Sequence, residues 1–247
     1  MLIIAEINLI KRRYKMKKIT ILILMVFGFF TNANAFEGPS GYNLGISLSA
    51  GVFEADAGKE EFKGAHAGVG SPGNVSKSTV DDAKGLFGIG SIFGEVVVND
   101  MFAIGVDYVP HSLSSDTAEN AQSDKTTTDT STDRVNKIQV DFKDMTSIYA
   151  TMQMPNGFYG KVGYIEVEAV TNEELGTGGA YGNTTLDGYT VGLGYQNDME
   201  DGMFVRVEAS YMDFDGATLT NTNDSTKSVT ADGVTGYGAK LSVGKSF

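Results

Sequence analysis

The sequence predicts an all-β fold: an up-and-down meander of eight antiparallel strands closed into a barrel. Three observations predict it. Apolar residues alternate with small or polar ones in stretch after stretch, with no sustained helical period. The connections between these stretches are short and long by turns. Glycine supplies 31 of the 247 residues without a collagen period, which suits closely approaching strands better than helices.

The strands follow in order. In 42–53, Tyr42, Leu44, Ile46, Leu48, Ala50 and Val52 alternate with Asn43, Gly45, Ser47, Ser49, Gly51 and Phe53. The second, 85–98, is apolar on both parities and leaves the facing of Glu95 open. The third, 102–108, sets Phe102, Ile104, Val106 and Tyr108 against Ala103, Gly105 and Asp107. In the fourth, 138–152, Ile138, Val140, Phe142, Ile148, Ala150 and Met152 oppose Gln139, Asp141, Lys143, Ser147 and Thr151. The fifth, 158–170, opens with Val162 and Tyr164 opposite Lys161 and Gly163. Its alternation breaks over Ile165 to Glu168, the mark of a bulge or of a strand end above a membrane. The sixth, 188–196, places Tyr189, Val191, Leu193 and Tyr195 on one face, and the seventh, 203–211, places Met203, Val205, Val207, Ala209 and Tyr211 there. The last, 235–247, sets Tyr237, Ala239, Leu241, Val243 and Phe247 against Gly236, Gly238, Lys240, Ser242, Gly244 and Ser246.

Short turn chemistry follows strands two, four and six: Asn99-Asp100, Pro155-Asn156-Gly157, and 197–202. Long polar stretches, 55–84, 110–136, 172–185 and 215–233, follow the others. Alternate connections of a meander lie at the same end, so one end carries tight turns and the other long loops. That is the arrangement of a transmembrane barrel with short periplasmic turns and long extracellular loops.

The N-terminus agrees with export. Met16, Lys17 and Lys18 precede an apolar run, 19–30, and Ala33-x-Ala35 is a small-x-small cleavage pattern. Residues 1–35 are therefore expected to be a signal peptide with its true start at Met16 and cleavage after Ala35. The run is shorter than the roughly 20 residues of a membrane-spanning helix. The formal charge of the whole chain is −12. Removing the six basic residues and single acid of 1–35 leaves 13 basic and 30 acidic residues, net −17, in the mature chain 36–247. So acidic a chain lacks the basic face that nucleic acid requires. The absence of cysteine removes disulfides, thiol nucleophiles and cysteine-ligated zinc.

A soluble barrel or sandwich would alternate equally well, with its apolar face inward. Three features favour the membrane. The polar face is both charged and glycine-rich. Aromatics stand near strand ends on the apolar face, at Phe102, Tyr108, Tyr189, Tyr195, Tyr211 and Tyr237, where an interfacial girdle belongs. The chain stops at Phe247, an outward position of its last strand.

On the signal, the eight strands, the segment 90–110 (GSIFGEVVVNDMFAIGVDYVP) and the terminal run Tyr237, Ala239, Leu241, Val243, Phe247, the mature chain resembles a family. It is similar to the small bacterial outer-membrane β-barrel proteins related to the OmpA transmembrane domain, OmpX and the opacity proteins. The resemblance implies that Tyr237, Leu241, Val243 and Phe247 form the C-terminal signal read by the barrel-assembly machinery. Lys245 departs from that pattern, which favours an aromatic or apolar residue there. It implies no catalytic residue, and no periplasmic domain is expected after the barrel.

With the apolar face on lipid, the other face fills the lumen. Its expected charges are Glu95, Asp107, Asp141 and Glu208 against Lys143, Lys161, Arg206 and Lys240, four acids balancing four bases. An eight-stranded barrel is just wide enough for side chains to fill, and buried charges must pair, so an ion-pair network is expected. A narrow hydrated pore lined by the same charges is the alternative.

Chemistry finds few residues. His66 and His111 lie on or beside long loops, Asp213 and Asp215 are one carboxylate pair among many, and Gly68-x-Gly70-x-x-Gly73 contains Pro72 and lacks its strand-to-helix context. The sequons at Asn74, Asn183 and Asn223 carry little weight in a bacterial envelope. No enzyme activity, cofactor or metal is expected. Loop 110–136, net −3 with a polar run over 126–133, suits a receptor, a phage or divalent ions bridging to lipid phosphates, or else is a solvated loop without a partner. The expected function is structural and surface-interacting, in the outer membrane. A monomer is expected there, whose partners are outer-membrane lipid, lipopolysaccharide and, during biogenesis, the assembly machinery.

Overall fold

The computed structural model describes residues 39–55, 59–63, 75–79, 83–124, 132–176, 179–223, 225 and 227–247. The expected signal peptide and its cleavage site lie outside them, as do His66, the Gly68–Gly73 run and most of 126–133. Twelve strands form one sheet: β1 (Gly41–Ala55), β2 (Lys59–Lys63), β3 (Val75–Thr79), β4 (Ala83–Val97), β5 (Phe102–Tyr108), β6 (Leu113–Ser114), β7 (Ala118–Asp124), β8 (Thr132–Gln153), β9 (Phe158–Leu175), β10 (Thr184–Asp198), β11 (Met203–Thr220) and β12 (Lys227–Ser246). Eight of them close the barrel in the order β1-β4-β5-β8-β9-β10-β11-β12, with β12 pairing back onto β1. This is the expected closed antiparallel meander. The other four belong to the loops: β2 and β3 form a hairpin on the upper end of β12, while β6 and β7 run along the upper half of β8.

The register fixes the geometry. Outward residues can be followed around the wall, from Val52 to Tyr237, Tyr211, Val191, Val162, Ala150, Ile104, Val96 and Tyr42, each paired with the next. The circuit returns to β1 ten residues from its start. Eight strands with a shear of ten tilt strongly and leave an interior that side chains can fill.

The apolar face points outward. Ile46, Leu48, Val106, Ile148, Leu193, Val207 and Leu241 are all exposed, Leu193 at 75%. In a soluble barrel these residues would form the core. Exposed aromatics bound the belt, with Tyr42, Phe158, Tyr195 and Phe247 at the end of the short turns. Tyr164, Tyr189, Tyr211 and Tyr237 neighbour one another further up, Tyr211 and Tyr237 with ring centroids 5.1 Å apart. Phe158 and Tyr164 are six residues apart on β9, about 20 Å along the strand. The wall between the girdles is that of a membrane-spanning barrel.

The short connections are built as expected. Asn99 Oδ1 accepts the N–H of Met101 and of Phe102, both at 2.9 Å, and Gly157 adopts φ +87° in the second turn. The long connections differ from expectation, because β8, β9, β11 and β12 continue well past the stretches that alternate cleanly. Above the tyrosines the faces exchange character. On β9, Ile165, Val167 and Ala169 are buried inside, with Glu166 and Glu168 on the outer face. The break at 165–168 is therefore no strand end; β9 runs on unbroken while its apolar parity switches from lipid to lumen.

On β8 the same exchange uses a bulge. Register slips between Lys143 and Thr146, where Asp144 and Met145 face one residue of β9, and Asp144 takes φ 52°. The extra residue reverses the parity above it. Phe142 packs on the internal core, while Asp141 and Lys143 stand on the outer face opposite Val170 and Glu168. The expectation that Asp141 and Lys143 line the lumen is thus corrected: an alternation counted straight through 138–152 misses the bulge.

Leu193→Arg places a charge on the lipid-facing wall between the two girdles. It is expected to destabilise the barrel by about 2–4 kcal/mol, measured by equilibrium refolding into lipid vesicles; indifference would mean that this face does not meet lipid.

Candidate functional site

The lumen is layered, and β11 alone shows the order. Rising from the short turns, its inward residues are Phe204, Arg206, Glu208, Ser210, Met212 and Phe214. The order is aromatic, cation, anion, hydroxyl, then apolar, and the residues level with it on the neighbouring strands are mostly glycine: Gly188, Gly192 and Gly194 on β10, Gly236, Gly238 and Gly244 on β12.

The charged layer holds three ion pairs. Arg206 grips Glu95 through both terminal nitrogens, at 2.5 and 2.8 Å. Glu95 is 3% exposed, and its oxygens also accept Asn43 Nδ2 and Tyr149 Oη, each at 2.9 Å. Arg206 Nε donates to Gln196 Oε1 at 2.6 Å, so the guanidinium is held on both edges. Its face lies against aromatic rings, 4.6 Å from the centroid of Phe204 and 5.4 Å from that of Tyr159. Higher up, Lys161 pairs with Glu208, which accepts Tyr159 Oη at 2.9 Å, and Lys240 Nζ meets Asp107 at 2.7 Å. Three acids balance three bases. Of the eight expected interior charges the structure brings these six together. Glu95, whose facing the sequence left open, is the residue best enclosed.

Glycine explains how rings and charges fit in one cross-section. A Cβ on Gly194 would stand 2.4 Å from the Tyr159 ring, and one on Gly244 would stand 2.3 Å from that of Phe204. The bare backbone opposite each ring is the space the ring occupies. Phe204 is fully buried.

Above the charges, Ser49, Ser147, Thr190 and Ser210 line a cavity of about 40 Å³. Ser49 Oγ is buried without a hydrogen-bond partner among the described residues. The space is polar and large enough for a few waters. Its roof is apolar: Phe87, Ile89, Val109, Met145, Ile165, Val167, Met212 and Phe214 form one buried cluster, with Phe53, Leu113, Phe142, Leu186 and Val234 packed on it. Below the charges the lumen widens into an open bowl of about 490 Å³, whose lining includes Asn43, Thr151, Gln196 and Arg206. Sequence reasoning missed the apolar roof, although the parity switch at Ile165 signalled it.

Of the expected terminal signal residues, Tyr237, Leu241 and Val243 lie on the exposed outer face of β12, and Phe247, directly after its end, is exposed as well. Outside the membrane, Asp141 accepts Ser114 Oγ at 2.6 Å and Asn172 Nδ2 at 2.9 Å, and these bonds hold its carboxyl below the ordinary range. His111 Nε2 accepts the Gly90 N–H at 3.0 Å.

Neither a protein-family model nor a curated protein matches the chain. Among solved structures it is similar to Neisserial surface protein A, at 14% identity and TM-score 0.40, over 85% of this chain and 100% of that one. It is similar also to the outer membrane protein OprG from Pseudomonas aeruginosa, at 11% identity and TM-score 0.39 over 87% and 99%. The outer membrane protease OmpT from Escherichia coli gives 13% identity and TM-score 0.37 over 88% and 100%. Likenesses this distant carry nothing about role; the barrel stands on its own register.

Arg206→Ala is expected to cost about 3–5 kcal/mol, because Glu95 is left charged and unpaired. Arg206→Met combined with Glu95→Leu should cost less than either single truncation. A double-mutant cycle in refolding free energy should give stronger coupling for Arg206 with Glu95 than for Arg206 with Glu208.

Proposed function

We propose that this outer-membrane barrel works as a plugged wall: it strengthens the envelope and presents an extracellular surface, and passes no solute. One observation carries the reading. The lumen is crossed by a layer of paired charges and, above it, by an apolar cluster. Ions crossing this path would have to break neutral, fully bonded pairs and then enter a layer offering no polar partner. The reading assigns no reaction to the chain. The candidate base His111 already accepts a backbone N–H, and Asp213 accepts the hydroxyls of Tyr189 and Tyr211 at 2.7 and 3.3 Å.

Function then falls to the extracellular end, where β2, β3, β6 and β7 build the loops into sheet and the outer face is acidic. A second reading, a narrow pore, draws support from the bowl that opens from the periplasmic side as far as Arg206.

Planar-bilayer recording on refolded protein separates the two. The plugged reading expects no steady conductance above the lipid baseline. Reproducible steps of one size would replace it with the pore.

A further inference from the structure

The wall has a one-sided stretch. β4 pairs with β1 along its whole length, from Ala83 opposite Ala55 to Val97 opposite Gly41. On its other side it pairs with β5 only from Ile92 to Val97. The cause is in the sequence. Val109 still donates its N–H to Met145 of β8 at 2.9 Å, but Pro110 follows, which has no N–H to donate and ends the β5 ladder. Beyond it the chain keeps to β8, with Leu113 and Ser114 opposite Phe142 and Asp141. Among the described residues one hydrogen bond spans the separation, from Gly90 N–H to His111 Nε2.

That bond also fixes the direction of the free groups. Within a strand the N–H and C=O of every second residue point to the same side. Gly90 points toward β5, so Gly88 and Leu86 do too. Among the described residues nothing pairs with these two on that side. Leu86 is 88% exposed, and a Cβ built on Gly85 or Gly88 meets nothing within 4 Å. An edge of this kind is a template for another strand.

We propose that the upper edge of β4, Gly85 to Ile89, is a docking site for an extended, basic segment of a partner protein, added as a strand. This deepens the surface role proposed above and rests on it. A second copy of this chain is a poor occupant on geometric grounds. The membrane holds both barrels upright, so two copies are related by an axis along the membrane normal, and their strongly tilted β4 edges cross at a large angle instead of lying side by side. Crossed edges meet at a point and cannot form a ladder. The preference for a basic segment follows from charge. Lys84 is neutralised by Glu54 at 2.8 Å and Glu119 by Lys137 at 2.9 Å, which leaves Asp116, Asp141 and Asp144 against Lys143 on the strands and loops across the gap. Leu86 supplies the apolar contact for one side chain of the incoming strand.

The test uses the refolded full chain in lipid nanodiscs and a synthetic nine-residue peptide of alternating lysine and valine. Two peptide controls accompany it: one N-methylated at alternate amides, and one with glutamate in place of lysine. Gly88→Pro removes an N–H on the free side only, leaving the ladder to β1 in place, and a heat-modifiable gel band checks folding. Saturable binding is expected, weakened at least tenfold by Gly88→Pro, by N-methylation and by the glutamate exchange. Hydrogen exchange at Leu86 and Gly88 should be fast in the free protein and slowed by the peptide. Absence of binding, or binding indifferent to Gly88→Pro, overturns the proposal. So does slow exchange in the free protein, which would mean that the chain's own loops cover the edge. Conductance would refute the plug without altering this binding, and failed binding leaves the plug standing, so the two failures are distinguishable.

Discussion

The interior depends on the two-pronged contact between Arg206 and Glu95. A carboxylate and a guanidinium buried in a barrel whose outside is lipid have no water to fall back on, so each must be satisfied from within. Glu95 uses both oxygens, on Arg206, Asn43 and Tyr149, and Arg206 spends its Nε on Gln196. Five strands are tied together by this one constellation: Asn43 from β1, Glu95 from β4, Tyr149 from β8, Gln196 from β10 and Arg206 from β11. The pairs Lys161–Glu208 and Lys240–Asp107 extend it upward, so that each charge in the layer has an opposite neighbour. A layer in which every charge is paired can be buried; a charge left without its partner there would cost several kcal/mol.

Above that layer the barrel changes from a membrane protein to something like a soluble one. Below the tyrosines the wall is apolar outside and polar inside; above them it is polar outside and apolar inside. The strands reach this exchange by two routes. β9 shifts its apolar parity in sequence, from Val162 and Tyr164 to Ile165, Val167 and Ala169, and needs no irregularity. β8 keeps its apolar residues on even numbers from Ile138 to Met152 and turns them over with the bulge at Asp144 and Met145. Both place the carboxylates of the upper wall in water and give the lumen an apolar lid.

This accounts for what was legible in the sequence. The strand count, the closed meander, the lipid-facing residues and the end carrying short turns follow from period two and turn chemistry, which are local. Lys161, Arg206, Glu208, Lys240 and Asp107 could be assigned inward because the alternation is uninterrupted on either side of each of them. Asp141 and Lys143 could not, because a single inserted residue inverts facing and leaves almost no mark beyond an aspartate suited to a left-handed backbone. The pairing of Arg206 with Glu95 across 111 positions was equally hidden, since register around a barrel is set by shear rather than by local pattern. Glu95 itself lay in a strand apolar on both parities, where alternation gives no direction.

The central claim is that the middle of the lumen is sealed from both sides, and the absence of cysteine allows a direct measurement. Ser49→Cys introduces a single thiol of nearly the same size, between the paired charges and the apolar lid. In the folded barrel this thiol should remain unlabelled by a charged, water-soluble thiol reagent applied from either face, and should label completely once the chain is unfolded in urea. Rapid labelling of the folded barrel would contradict the account.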